Sequence, residues 1–163
     1  MQKSFKLILF LCFFTAMVSC QHKDVIFEKR VTFKNNSWNR FNILKYDFQV
    51  SDTLTEYDIY LDVRHASFYP YENLLINFAI MSPSTEERVR SHDLKLRDKT
   101  GNFLGEGTGD IWDISFPLMT KFVFIHSGTY HIEIENLMTK YETEGVMDVN
   151  LVVQRSDSKH IAK

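Results

Sequence analysis

Proline and glycine are scarce in this 163-residue chain, three and six respectively, and nowhere do they join serine in the kind of run that links domains. No internal repeat is visible. Lysine and arginine never gather into a basic run, which argues against a nucleic-acid partner. The chain also lacks Gly-x-x-x-x-Gly-Lys-Ser/Thr and a Gly-x-Gly-x-x-Gly between strand and helix, so no phosphate loop is expected. Gly-x-Ser-x-Gly is missing as well, which removes the usual hydrolase nucleophile. Cysteine occurs only twice, as Cys12 and Cys20.

What the first twenty residues do contain is a short basic start (Lys3, Lys6), an almost wholly apolar run over 7–18, and small or aliphatic residues up to Cys20. The run is shorter than the roughly 20 residues a bilayer-spanning helix needs, so it reads as a secretory signal over 1–19. Its removal would discard Cys12, leave Cys20 as the sole thiol and take the formal charge from −2 to −4. No internal disulfide is then expected in the exported chain. Residues 17–20 resemble the bacterial lipobox, with Met17 where leucine is commonest. That resemblance implies diacylglycerol on the Cys20 sulfur and acylation of its freed amine, with fatty chains of the palmitate class. Two or more chains hold a protein stably on a membrane where one does not. Residues 20–23 form the lipidated cysteine and a short tether, 24–155 a single domain, and 156–163 a polar tail expected to fray.

Four of the six glycines fall between Asp98 and Asp113. Asp98 and Gly101 suit the first and last places of a type I turn closing a hairpin with a glycine bulge. Gly105, Gly107 and Gly109 recur with period two, so an extended chain would present a bare face there for a strand or ring, Trp112 for example, to cover. Gly128 supplies a second turn, and its place two residues before an inward Tyr130 resembles the tyrosine corner of Greek-key sandwiches.

Around that stretch the chain alternates. Leu44 to Val50, Tyr57 to Arg64, Tyr130 to Ile134 and Val146 to Gln154 alternate apolar and polar residues, and Val25 to Phe33 and Val89 to Arg97 do so more loosely, the mark of half-buried strands. Residues 74–81 are largely apolar on both parities and read as a central strand covered on two faces, with a buried helix as the alternative that periodicity leaves open. Leu137, Met138 and Tyr141 fit a short helix near 136–144 that Gly145 would end. Strands at intervals of roughly 8–12 residues with turns between them predict an all-β fold, an antiparallel sandwich of Greek-key or jelly-roll kind.

From about Trp38 to Val153 the order of motifs is similar to the GldH family of gliding-motility lipoproteins of Bacteroidetes. The carriers are Cys20, Phe48 to Leu54, Tyr69-Pro70-Tyr71-Glu72-Asn73-Leu74, the run from Leu104 to Asp113, and Ser127-Gly128-Thr129-Tyr130 with Ile134-Glu135. The resemblance implies an envelope lipoprotein of the gliding machinery and its linked secretion system, with no assigned reaction. Because Gln21 to Asp24 is not acidic overall, the expected place is the periplasmic side of the outer membrane.

Chemistry finds little purchase in these residues. His126 and His131 lack a third ligand at zinc spacing, so no metal is expected. Asp98, Glu106, Asp110 and Asp113 stand beside glycine turns, where carboxylates cap or solvate backbone, and no EF-hand order is present. The expectation is a protein that is not an enzyme and has no cofactor beyond the lipid on Cys20. Aromatics make up 14% of the chain. Tyr60, Tyr69, Tyr71 and Trp112 fall at loop or outward positions, where they could anchor a protein partner or stack on a glycan. The alternative for residues 69–71 is that they fold down over one end of the sandwich. Partners are thus the membrane through the lipid, other envelope proteins of the gliding or secretion apparatus, or a carbohydrate or peptidoglycan strand.

Overall fold

Strict alternation over 44–50 and 128–136 drives two strands into one sheet with one face inward. The computed structural model describes residues 24–160. The signal segment 1–19, Cys20 and the rest of the tether to residue 23 lie outside the described residues. One sheet runs in the order β1 (Val25–Thr32), β11 (Val146–Arg155), β4 (Glu56–Ala66), β8 (Ile111–Val123), β7 (Glu106–Thr108). The other runs β3 (Leu44–Val50), β9 (Gly128–Asn136), β5 (Asn73–Met81), β6 (Glu87–Lys95). A two-stranded ribbon joins β2 (Ser37–Asn39) to β10 (Glu142–Glu144). All pairings are antiparallel.

The path makes this a jelly roll. Between the two large sheets the chain crosses at every connection except the β5–β6 and β7–β8 hairpins, so its first and last strands, β1 and β11, lie side by side. Registers such as Tyr46↔Ile132↔Ile80 and Phe27↔Val153↔Ile59 line up the inward rows. Between them sit Phe78, Leu61, Ile76, Leu151 and Phe124, all close to fully buried. The loops fall at two poles. The near pole is where the described chain begins: the Arg155 amide donates to the Asp24 carbonyl (2.8 Å) and Val25 pairs with Gln154. The far pole gathers residues 33–43, 67–72 and 137–145.

Several local expectations hold. The Gly101 amide donates to the Asp98 carbonyl (3.0 Å), Gly101 has φ +87°, and Arg97 bridges to Phe103, which is the bulged hairpin. The Tyr130 hydroxyl accepts from the His126 amide (3.2 Å), the return bond of a tyrosine corner. Of the three period-two glycines, Gly107 lies bare under the Trp112 ring, where a Cβ would come within 2.5 Å. Gly105 and Gly109, with φ +89° and +63°, serve bends instead, and Gly109 opens the two-residue turn of the β7–β8 hairpin.

Others are corrected. No helix forms at 136–144. The Asn136 amide group donates to the Trp38 carbonyl (3.1 Å) and Thr143 Oγ1 (2.8 Å), its Oδ1 accepts from the Met138 amide, and the Leu137 amide is taken by the Leu75 carbonyl. Backbone donors a helix would need are spent on neighbours, and residues 142–144 become β10. Strand β5 is covered on one face only: Leu75 and Met81 are exposed on the other. In the described part of the tail, His160 stacks on Tyr60 (4.1 Å between centroids) and bonds Asp62 (2.7 Å) across the outside of β4.

Candidate functional site

Of the four aromatics singled out by sequence, Tyr69 is buried and Tyr60, Tyr71 and Trp112 are half-buried against neighbouring groups. Tyr69 is fully buried, its hydroxyl donating to the Asn73 carbonyl (2.8 Å), and burial pushes its pKa well above the usual 10. Tyr71 is half-buried with its edge against Tyr69 (5.6 Å). Trp112 covers Gly107 and stacks on Phe103 (4.9 Å), over which Arg97 lies at 3.7 Å. Tyr60 is roofed by His160. The loop at 69–71 folds down over the sandwich end, so the expected exposed anchor at Tyr69 is corrected to a core residue. A ring whose hydroxyl has a backbone carbonyl in reach can be buried at no polar cost.

The aromatics actually presented to solvent at the far pole are Phe41 (72% exposed), Tyr141 (68%) and Phe68 (61%). Phe41 sits in the turn after β2, held because Asn39 Oδ1 accepts the Phe41 amide (2.9 Å) and the Trp38 indole N–H donates to the Asn42 carbonyl (3.0 Å). Trp38 is itself fully buried and stacked on Phe33. The Arg40 amide donates to the Tyr141 carbonyl (2.8 Å), which brings the two turns together and sets the Phe41 and Tyr141 rings 5.6 Å apart. A polar sequence on both sides of each ring, Arg40 and Asn42, Lys140 and Glu142, was the signal that could have found them.

Beside this pair opens a cleft of about 680 Å³. Its walls carry Asn35, Asn39, Asn42, Glu142, Glu144 and Phe68. Asn35 and Asn36 hold φ +56° and +51°, the left-handed region that asparagine tolerates best after glycine. Glu142 accepts from Ser37 Oγ (2.9 Å) and Asn39 Nδ2 (2.5 Å). Glu142 and Glu144 stand side by side on β10, on one wall. Glycoside hydrolysis by two carboxylates uses acids that flank the bond from opposite sides, so this pair suits ligand hydrogen bonding better than catalysis.

Of the remaining titratable candidates, Asp98, Asp110, Asp113 and His131 have side-chain partners. Asp98 accepts from the Thr100 hydroxyl and amide and from the Asn102 amide, which holds its pKa down to about 2. Asp110 takes the Ser67 hydroxyl (2.9 Å). Asp113 is held bidentately by Arg64 (2.7 and 3.0 Å), and the Glu106 backbone pairs with Asp113. His131 points outward from β9 onto Asp47 (2.6 Å), and His126 stands exposed in the β8–β9 turn. Among the described residues, no three His, Cys, Asp or Glu side chains are grouped to hold a metal.

Comparison with known proteins converges on one family. The family model described as GldH lipoprotein matches residues 25–153. The gliding motility lipoprotein GldH homolog of Christiangramia forsetii is 24% identical over 165 residues, covering 97% of this chain and all of the relative. Gliding motility lipoprotein GldH of Flavobacterium johnsoniae is 23% identical over 148 residues, covering 86% of this chain and 91% of its own. The matched span takes in every strand but the last residues of β11, and with them both walls of the far-pole cleft. The chain belongs to the GldH lipoprotein family.

Proposed function

We propose that this chain is a lipid-anchored docking component of the envelope machinery of gliding motility and its associated secretion system, working by contact and not by catalysis. The observation that carries this reading is the paired, exposed Phe41 and Tyr141 at the pole opposite the point where the chain enters. Aromatic anchors on a rigid rim are the usual energetic centre of a protein interface. Acyl chains on Cys20 restrict the domain to a membrane surface, which raises its effective concentration for a partner on that surface. The names of the relatives support the link to gliding. The sequence just after Cys20, which is not acidic, supports the periplasmic side of the outer membrane.

Photo-crosslinking side chains at positions 41 and 141 in living cells test it. Adducts to one envelope protein, lost together with motility in the Phe41→Ala/Tyr141→Ala variant at unchanged protein level, are the expected result. Normal gliding by that variant would refute the docking role of this rim.

A second reading is favoured by the cleft itself. Three asparagine amides and two carboxylates around one exposed ring are the groups that hydrogen-bond and stack on a sugar. Titration with soluble peptidoglycan fragments, repeated with Phe68→Ala, distinguishes it: saturable heat lost in the variant supports a glycan, and no heat in either excludes this class.

A further inference from the structure

Two crossover loops lie next to each other at the near pole, 51–55 leading from β3 to β4 and 124–127 leading from β8 to β9. Register fixes their neighbourhood, since Val50 pairs with Gly128 and Glu56 with Val123. Each presents a bare aliphatic tip: Leu54 is 95% exposed and Ile125 60%. Neither tip is loose. Asp52 Oδ1 accepts the Leu54 amide (3.0 Å), while Oδ2 accepts the Thr55 hydroxyl (2.7 Å) and an Arg155 N–H (3.0 Å). Ile125 follows Phe124, which is fully buried among Tyr57, Phe122 and Tyr130 at 4.7 to 5.1 Å. A leucine held out by three bonds to its loop's own aspartate is a built protrusion.

Three cations and several open carboxylates surround these tips. A groove of about 550 Å³ lies between β6 and the second half of β8, and Arg88, Arg90, Lys121, Val123 and Ile125 are among the residues that line it. Among the described residues none of these three cations forms a salt bridge, and Arg88 lies over the Phe122 ring (5.5 Å). The carboxylates of this pole are Glu56, Glu86, Glu87 and Asp157 in the open, Asp24 half-buried, Asp52 tied to Arg155, and Asp58 tied to the Lys121 amide (2.8 Å) and the Ser156 hydroxyl.

The length of chain before the domain decides what can meet this surface. Three residues separate Cys20 from Asp24, four backbone steps that reach at most about 14 Å when fully extended. Asp24 is bonded to Arg155 at the near pole. The eleven residues of β4 span about 35 Å from there to the far pole. With acyl chains on Cys20 the near pole therefore stands at the bilayer and the far pole does not. We infer that the near pole is a lipid-docking surface, in which Leu54 and Ile125 enter the interface of the anchoring membrane while Arg88, Arg90 and Lys121 meet lipid phosphate. This rests on the lipid-anchor reading above and adds to it a fixed orientation. Aliphatic tips flanked by cations are the composition that partitions into the headgroup region, and a surface of this kind supplements an acyl anchor. The domain then stands upright and offers Phe41 and Tyr141 away from the membrane.

The test uses the mature lipidated protein in vesicles of phosphatidylethanolamine and phosphatidylglycerol, with single cysteines replacing Leu54, Ile125 or Phe41 and carrying a fluorescent label. All three sites are exposed, so the substitutions leave the fold intact, and the acylated Cys20 does not compete for the label. Lipids brominated on their acyl chains should quench labels at 54 and 125 several-fold more than at 41, and a water-soluble quencher should do the reverse. Equal, water-like behaviour at 54, 125 and 41 on vesicle-bound protein would overturn the docking surface alone. Failure of the protein to sediment with vesicles would overturn the anchor reading and the orientation with it. Labels at 54 and 125 shielded in native envelopes but not in pure lipid would assign the pole to a protein partner and likewise overturn the inference.

Discussion

Arg97 ties the loop of Tyr69, which the sequence suggested would reach outward, to the glycine hairpin. Its guanidinium donates to the carbonyls of Ser67 (3.3 Å), Tyr69 (3.0 Å) and Gly101 (3.1 Å) and lies over the Phe103 ring (3.7 Å). A lysine keeps the charge but not the planar fork, so Arg97→Lys is expected to lower stability by about 2 kcal/mol, read from the urea midpoint at unchanged slope. Next to it His65 points inward from β4, wholly buried, its Nδ1–H donating to the Ala66 carbonyl (3.2 Å) and its Nε2 without a partner among the described residues. Burial, with the Arg97 charge adding to it, holds its pKa below the usual 6.5, and burial lowers His92 in the same way. The folded state keeps these rings neutral while the unfolded chain takes protons below about 6.5. Stability is therefore complete above that value and declines as pH falls from it toward the depressed folded values. Thermal melts from about pH 7.5 down to about pH 5.5 should show Tm falling, and His65→Phe should flatten part of that slope. Inward residues such as Tyr57 and Leu61 were legible from parity on their strand. The burial of Tyr69 and the exposure of Phe41 were not, since parity says nothing in a turn.

At the scale of elements, the glycine stretch splits into separate tasks that substitution can tell apart. A Cβ at Gly101 or Gly109 meets nothing within 4 Å, so alanine there carries only the strain of a left-handed φ, about 1–2 kcal/mol. At Gly107 it meets the Trp112 ring, and at Gly105 it overlaps the Asp113 carbonyl while φ is also left-handed. Gly105→Ala is expected to be the most damaging of the four, at about 3 kcal/mol or more, with Gly107→Ala next. Urea unfolding of the four variants checks the order, and equal losses at Gly101 and Gly105 would contradict it. The spacing of these glycines showed that something packs close, but not which of them bends the chain. The missing helix at 136–144 has a similar cause: Leu137, Met138 and Tyr141 keep helical spacing, yet Asn136, buried between β2 and β10, takes the local donors. Long-range pairing of Thr143 with Trp38 then decides for strand, and no window of sequence contains both partners.

For the whole molecule, alternation was enough to foresee an antiparallel sandwich, because each half-buried strand must lay its apolar face against a second layer. The order of strands was not visible, since pairings such as β1 with β11 join residues more than a hundred apart. That order makes a specific demand on local opening. Strands β4, β11, β9 and β5 are hydrogen-bonded on both sides, whereas β6 is an edge whose nine residues are nearly all exposed and β7 is three exposed residues. Amides of the interior strands should then open only with global unfolding, while β7 and the β2–β10 ribbon exchange by smaller fluctuations. Along β6 protection should alternate, because every second amide bonds to β5 and the others face water. Hydrogen exchange read residue by residue in the free protein measures this directly. Uniform protection along Glu87–Lys95 would mean that the β6 edge is paired with another chain, and the open groove beside Arg88 and Arg90 would then be an interface between protein strands.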